Sequence, residues 1–483
     1  MFCTETDRLR WSSEPQPKRA PFSLTYRFVL EEELHHGKER PGLQLRDTID
    51  AETWRWPMPS FDILVVGGGF GGAFCARELE KQLDGRSERV LVVAPDNFML
   101  FTPLLAEAAS GMIEPRHAVI PLREMLDGAD LLIGTVREFD IHERKALVGD
   151  VNGDDHEIEF QVAVLAAGSV PAVPPIPGLK DHAVGFKTLA DAIWLRNRVL
   201  RQLDAAEAAT DQARRRQLLT FTFVGGGYAG VEALAELESM ARDAVKVYPS
   251  LTAADFRWVL VEAEDSLLPG LHPRLASFSL NVLRKRGIEV YLSTRLESCE
   301  DSVIVLSSEP TAPYKSETIV WTAGQRPSPH AALWGLPVDA RGFVPVDEYL
   351  RISGRTDLYG VGDLAAVPDV EGGLSPNTAQ HALRQARVAA RNVAAHFGAG
   401  EPARYTYRNR GLAVTLGKWQ GTAKVRRFTF TGPLAWWMGR SYHLIMIPGF
   451  ARKARVVSDW TMSLLFPRDV SQLGQLGKPT PLE

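Results

Sequence analysis

Twice along this chain an apolar, strand-like run ends in a glycine-rich hexapeptide that leads directly into a helical pattern. The first is Phe61 to Val66 followed by Gly67-Gly68-Gly69-Phe70-Gly71-Gly72; the second is Leu218 to Val224 followed by Gly225-Gly226-Gly227-Tyr228-Ala229-Gly230. Both fit G-x-G-x-x-G, and the strand before and helix after turn a weak pattern into a specific one. The first glycine permits a tight turn, the second lets backbone amides approach a pyrophosphate, and the last lets the helix pack closely with its N-terminal dipole facing the anion. Helices are expected over Ala73 to Leu83 and from about Val231 to Ala244, with following strands at Val90 to Val93 and Trp258 to Val261. Two such openings predict an α/β chain with two Rossmann-like dinucleotide-binding domains.

A chain of 483 residues has room for several domains of roughly 100 to 200 residues. Residues 1–57 show no sustained period and read as an N-terminal extension without fixed structure. The acidic Glu31-Glu32-Glu33 speaks against a transit or signal peptide there, and Met58 is a candidate start. The short-strand run from Val346 to Asp363 suggests that the chain re-enters its first domain after completing the second. The expected division is therefore 58–180 and 326–404 for the first nucleotide domain, 181–325 for the second, and 405–483 for a C-terminal region.

The two units differ where their second strand ends. Glu262 closes the second unit's strand, where a carboxylate accepts from ribose hydroxyls and repels a 2′-phosphate, so NADH is expected in preference to NADPH. An exposed strand-end glutamate is the alternative. In the first unit Ala94-Pro95 stands at that place, leaving Asp96 or Asn97, or backbone groups, to meet a ribose.

A third element is the short strand Asp357 to Val361 ending in Gly362-Asp363, which places a carboxylate beside a pyrophosphate or sugar alcohol. With Val164-Leu165-Ala166-Ala167-Gly168 and Val320-Trp321-Thr322-Ala323-Gly324, where small residues let the chain pass close to the nucleotides, the set is specific.

Together these motifs resemble the two-dinucleotide flavoprotein reductases, over residues 60 to 400. Within them, Asn97-Phe98-Met99-Leu100-Phe101-Thr102-Pro103-Leu104-Leu105 and Ala379-Gln380-His381-Ala382-Leu383-Arg384-Gln385 resemble the type II NADH:quinone oxidoreductases. The Ala94-Pro95 variant is similar to that family's eukaryotic branch. The resemblance implies FAD on Gly67, Gly69, Phe70, Gly71, Gly72, Asp96, Asn97, Thr102, Pro103, Ala167, Gly168, Gly362, Asp363 and Gln380. It implies NADH on Gly225, Gly227, Tyr228, Ala229, Gly230, Glu262 and Gly324. Gln380, Arg384 and, more loosely, Lys418 stand on the side of a menaquinone- or ubiquinone-type acceptor. Arg384 departs from the family pattern Ala-Gln-x-Ala-x-Gln, with Gln385 one place late. Glu232 corresponds to a family glutamate near nicotinamide and flavin, with a role in ordering the site or delivering a proton; complementing its own helix dipole is the alternative. The implied reaction is hydride transfer from NADH to flavin and two-electron transfer to a quinone, without proton pumping. Glu232 and Gln380 are its candidate catalytic residues.

Three widely separated cysteines, Cys3, Cys75 and Cys299, have no metal-ligand or redox-pair spacing, so neither a metal site nor a disulfide reductase is expected. The net charge of −4 gives no sign of nucleic-acid binding. It hides eleven Lys/Arg in residues 401–460 against Glu401 and Asp459. Trp419, Trp436, Trp437, Tyr442, Phe450 and Trp460 interleave with these cations, which suits a segment lying in the lipid headgroup layer. No apolar run is long enough to span. A packed C-terminal domain or homodimer contact is the alternative and is compatible with it. The resemblance implies a peripheral, monotopic protein on the cytoplasmic face of a membrane, associating as a homodimer. An NADH-dependent ferredoxin- or rubredoxin-type reductase, and a low-turnover FAD/NADH-binding redox sensor, are the competing readings.

Overall fold

The computed structural model describes residues 60–308, 312–407 and 411–472. The expected N-terminal extension and the last part of the expected C-terminal region lie outside the described residues. The chain opens with β1 (Ile63–Val66), α1 (Phe70–Gln82) and β2 (Val90–Ala94). Next come the short α2 (Leu105–Ala109), then β3 (Asp130–Asp140), β4 (Lys145–Asp150), β5 (Asp155–Glu159) and β6 (Val162–Leu165). The second unit contains β7 (Ala183–Gly185), α3 (Leu189–Ala208), β8 (Thr220–Val224), α4 (Tyr228–Ala244), β9 (Arg257–Val261), β10 (Glu289–Tyr291) and β11 (Thr318–Trp321). The chain then returns through β12 (Leu358–Gly360) and α5 (Ala379–His396). It ends with β13 (Gly411–Thr415), β14 (Gly421–Val425), β15 (Phe428–Thr431), α6 (Gly432–Met446) and α7 (Phe450–Leu465).

The first sheet has strand order β12-β6-β1-β2-β3-β4-β5, parallel from β12 to β3 and antiparallel beyond. The second, β7-β11-β8-β9-β10, is wholly parallel. Strands β1 and β8 are buried along their whole length, as parallel strands covered by helices on both faces must be. This is why their sequences read as continuous apolar runs rather than alternations. Pairing of β12 with β6 carries the late segment back into the first sheet, and α5 packs along α1 there. Two chain crossings, Ser169–Pro171 and Gln325–Pro327, pair antiparallel with each other.

Local boundaries depart from the sequence expectation in a consistent way. Both glycine-turn helices begin three residues earlier than expected, at Phe70 and Tyr228. Helix propensity disfavours glycine, but here the last glycine of each motif is held inside the first turn by close packing against the carbonyl of the motif's first glycine. Leu218, expected to start a strand, instead ends a helix over Gln212–Leu218 that Asp211 caps through two backbone amides.

The C-terminal region is a three-stranded antiparallel sheet followed by two helices. Trp436, Arg440, Val456 and Trp460 are buried, while Ile445, Phe450, Leu465 and Phe466 are exposed. One face is thus packed and another is bare. Among the described residues no helix is long and apolar enough to cross a membrane.

Candidate functional site

Each glycine turn is shaped by backbone that passes too close for any side chain. Gly67 has φ +117°, and a Cβ there would lie 2.3 Å from the Ala166 carbonyl oxygen; a Cβ on Gly72 would lie 1.8 Å from the Gly67 carbonyl oxygen. The second turn repeats the construction, with Gly225 at φ +114° against Thr322 and Ala323, and Gly230 against the Gly225 carbonyl oxygen at 2.1 Å. Between these crowded positions, a methyl group on Gly69 or Gly227 would meet nothing within 4 Å. The glycine at the sixth position of each motif closes the packing and the one at the third leaves a cradle open. Helices α1 and α4 start at these open glycines with no side-chain cap, so their first-turn N–H groups are available to an anion. The residues fit two dinucleotides.

Both cradles face one cavity of about 1900 Å³, larger than the ~300 to 1,000 Å³ usual for a single small ligand. Of the residues expected from sequence, Gly67, Gly69, Asp96, Thr102, Pro103, Ala167, Gly168, Gly227, Tyr228, Ala229, Glu232, Asp363, Gln380 and Arg384 line it. Others stand behind its wall. Phe70 stacks on Phe74 at 6.0 Å, Gly71, Gly72, Gly225, Gly230 and Gly324 shape the turns and crossings, and the Asn97 carbonyl accepts from the Leu122 amide at 2.9 Å. Glu262 sits under the second turn: one carboxylate oxygen accepts from the Gly226 N–H and the other from the Glu264 N–H at 2.9 Å.

Lys418 is not in the cavity wall. It occupies the turn joining β13 to β14, where its ammonium reaches the Ser463 carbonyl at 3.4 Å. The cavity meets the opposite end of that hairpin, at Gly411, Leu412, Lys424 and Val425, so of the hairpin's two lysines Lys424 is the one that lines it. The shifted glutamine also has a clear place. Gln385 is buried and accepts from the Gly362 N–H at 2.8 Å, supporting the Gly-Asp turn. Arg384, one residue earlier, turns to the cavity instead. Its guanidinium lies 4.2 Å over the Tyr407 ring and donates to the Gln380 carbonyl at 2.9 Å. The Tyr407 hydroxyl donates to the Gln380 side chain at 2.9 Å, so Tyr407 orders both residues.

Sequence reasoning missed two groups. Lys187, in the segment leading into α3, donates to Ser169 Oγ at 2.6 Å and Gln325 Oε1 at 2.7 Å, and Ser169 donates to Asp363 at 2.8 Å. This ties both chain crossings to the Gly-Asp carboxylate; burial holds the ammonium below its ordinary range, against the pull of Asp363. No local motif announces Lys187. The second group surrounds Glu232, whose carboxylate accepts from the Thr415 N–H at 2.9 Å. Burial, with the negative charges of Glu107 and Glu236, pushes Glu232 up to about 8 despite that hydrogen bond. His443, also in the cavity wall, is pushed down to about 4 by burial. Cys75 and Cys299 are free, buried thiols whose pKa burial raises, so they are not poised as thiolates.

The chain is similar to known proteins. The chain is 28% identical to the type II NADH:quinone oxidoreductase Ndh of Mycobacterium tuberculosis, over 84% of this chain and 88% of that one. It is 27% identical to the demethylphylloquinone reductase NdbB of Synechocystis, over 82% and 95%. The structure of NDH2 from Plasmodium falciparum in complex with NADH superposes with a TM-score of 0.78 at 16% identity, covering 86% of this chain and all of that one; it shows the shared fold. The pyridine nucleotide-disulphide oxidoreductase family matches residues 61–386. With both glycine turns, both crossings and the Gly-Asp return inside that match, the chain belongs to the pyridine nucleotide-disulphide oxidoreductase family.

Proposed function

We propose that this protein is an FAD-dependent NADH:quinone oxidoreductase that works without translocating protons. The observation that carries the reading is the single cavity onto which both glycine cradles open. FAD, when bound, supplies the two-electron chemistry. The chain's part is to bind, orient and exclude water.

The residues divide the work. Gly67, Gly69 and the α1 N-terminus would hold the FAD pyrophosphate, and Asp363, kept in place by Ser169, Lys187 and the Gln385 bond to Gly362, would stand on the same side of the cavity. Gly225, Gly227, Gly230 and the α4 N-terminus hold NADH, with Glu262 stiffening the turn and disfavouring a 2′-phosphate. Glu232 keeps a proton at the cavity at neutral pH. Gln380, held by Tyr407 and bonded to the Gly411 carbonyl at 3.3 Å, orients the acceptor. The cations of Arg384 and Lys424 favour negative charge developing on a quinone oxygen there. The names of the relatives support a quinone acceptor.

The exposed Ile445, Phe450, Leu465 and Phe466, with Lys453 and Arg455 between them, support seating of α6 and α7 in the headgroup layer, and the cytoplasmic face is the side this proposal assigns. A homodimer contact is the other occupant that surface suits. Flotation with anionic vesicles, abolished by Phe450→Asp with Leu465→Asp, is the expected result; unchanged flotation removes this surface from the proposal.

The test of function is NADH oxidation by the flavin-loaded protein with a soluble quinone, set against NADPH and against Gln380→Ala. Turnover is expected to favour NADH. The substitution should lower quinone-dependent kcat/KM about tenfold or more while flavin reduction by NADH is retained. Flavin reduction without quinone turnover would point to a protein-acceptor reductase or a sensor.

A further inference from the structure

Beneath Glu232 the core holds more charge than the reaction requires. Glu107 on α2 and Glu236 on α4 are buried carboxylates, and Arg440 on α6 and Arg468 beyond α7 are buried guanidiniums. Arg440 pairs with Glu107 at 3.0 Å, and Trp460 on α7 donates to the other Glu107 oxygen at 2.6 Å. Arg468 lies 3.7 Å from Glu236 and donates to its backbone carbonyl at 3.3 Å, while Ser110 reaches the same carboxylate at 3.4 Å. Asp243, also 3.7 Å from Arg468, has its own cation in Lys246 at 2.9 Å. Burying isolated ions is costly, so such charges persist only where they are balanced. Counted with Glu232 as ions, three carboxylates against two guanidiniums leave one negative charge unbalanced, and burial raises Glu107 as well as Glu232 above the usual carboxylate range.

We propose that Arg440 and Arg468 are positioning residues for the hydride site: seated by the C-terminal segment beside Glu107 and Glu236, they offset the negative charge those carboxylates place next to Glu232 and so set how readily Glu232, on the cavity, gives up its proton. Among the described residues Glu232 has no cationic partner. The groups that face it are Thr415 from β13, Tyr228 and Glu236 from its own helix, and Glu107 from α2. Burial pushes the Tyr228 phenol up to about 12 and holds His443 neutral, so neither supplies charge near neutral pH. The tail that reaches toward the proposed membrane face therefore also completes the electrostatics of the catalytic core. The assignment of this cluster to hydride chemistry rests on the function proposed above, whereas the charge balance itself does not.

The sign of the test follows from the balance. Glu236→Gln removes a negative neighbour and leaves Arg468 unbalanced, and both changes favour the ionised form of Glu232. The midpoint at which Glu232 loses its proton is expected to fall by about one pH unit or more. Glu236→Gln with Arg468→Met removes both charges, and the midpoint should return close to that of the parent. The readout is the infrared absorption of the protonated carboxyl group of the full chain against pH, with the Glu232 band assigned by its loss in Glu232→Gln. It is followed beside the pH dependence of flavin reduction by NADH. Glu107→Gln, alone and with Arg440→Met, forms a second cycle should the first pair fold poorly. A merely structural role would change the yield of folded protein without opposed movements of one midpoint. An unmoved midpoint in the single variants, or a double variant as far from the parent as the single, overturns the proposal. The infrared shift without any reduction of flavin by NADH would overturn the functional reading and leave the charge balance standing; flavin reduction without the shift would do the reverse.

Discussion

A chain carrying Gly72→Ala is expected to be recovered without flavin. The added methyl would lie 1.8 Å from the carbonyl oxygen and 2.8 Å from the carbonyl carbon of Gly67. Both are backbone atoms of the turn that would hold the pyrophosphate, so no side-chain rotation relieves the clash. Either α1 lifts from β1 or the turn opens. Forced overpacking of this kind costs about 1 to 3 kcal/mol or more, and opening the turn disperses the amides that would hold the anion. We expect a lower melting temperature together with at least a hundredfold loss of FAD affinity, read from the flavin-to-protein absorbance ratio. Gly69→Ala is the informative contrast. Nothing lies within 4 Å of its methyl position, so the flavin-free protein should melt like the parent while FAD affinity falls. A Gly69→Ala chain that binds FAD normally would show that the open position is not the cradle.

The second large effect is expected from Arg440→Met. Arg440 pairs with Glu107, reaches the Met112 sulfur and lies 3.7 Å over the Trp436 ring and 5.0 Å from that of Trp460. Removing the cation leaves Glu107 buried with the Trp460 N–H as its remaining strong donor. Breaking one side of a buried pair costs about 3 to 5 kcal/mol, a large part of the ~5 to 15 kcal/mol that holds a typical protein folded. Adding Glu107→Gln should recover most of the loss, because the penalty lies in the uncompensated charge more than in the missing contact. Denaturant midpoints of the two variants at one pH measure both terms. A loss below about 1 kcal/mol in the single variant would mean that the tail is not anchored through this pair.

The two nucleotide-binding openings were legible because each is a local instruction. A tight turn at Gly67 or Gly225, a close approach at Gly72 or Gly230, and an apolar strand before them are demands of backbone geometry met within about twenty residues. The return of β12 to the first sheet was legible for a similar reason, since a short strand ending in Gly362-Asp363 has few other places to go. Both helices start three residues earlier than propensity places them, because propensity excludes glycines that close packing within the turns retains.

The side-chain partnerships were not legible. Gln385 and Arg384 are neighbours on α5, yet one supports Gly362 and the other lies over Tyr407; which faces the cavity depends on how α5 is rotated against α1. Lys424 rather than Lys418 lines the cavity because hairpin pairing sets which end of β13 and β14 meets it. Arg440 belongs to a basic segment whose composition reads as a solvated or lipid-facing surface and Arg468 follows it, yet both are buried against carboxylates more than 200 positions earlier. The two dinucleotide cradles and the order in which the chain builds them are written into the residues locally, since backbone sterics and hydrophobic runs act over short spans. Where the buried charges go is fixed by the assembled fold, because the energy of a buried ion depends on the partner folding brings to it, and residue type alone does not name that partner.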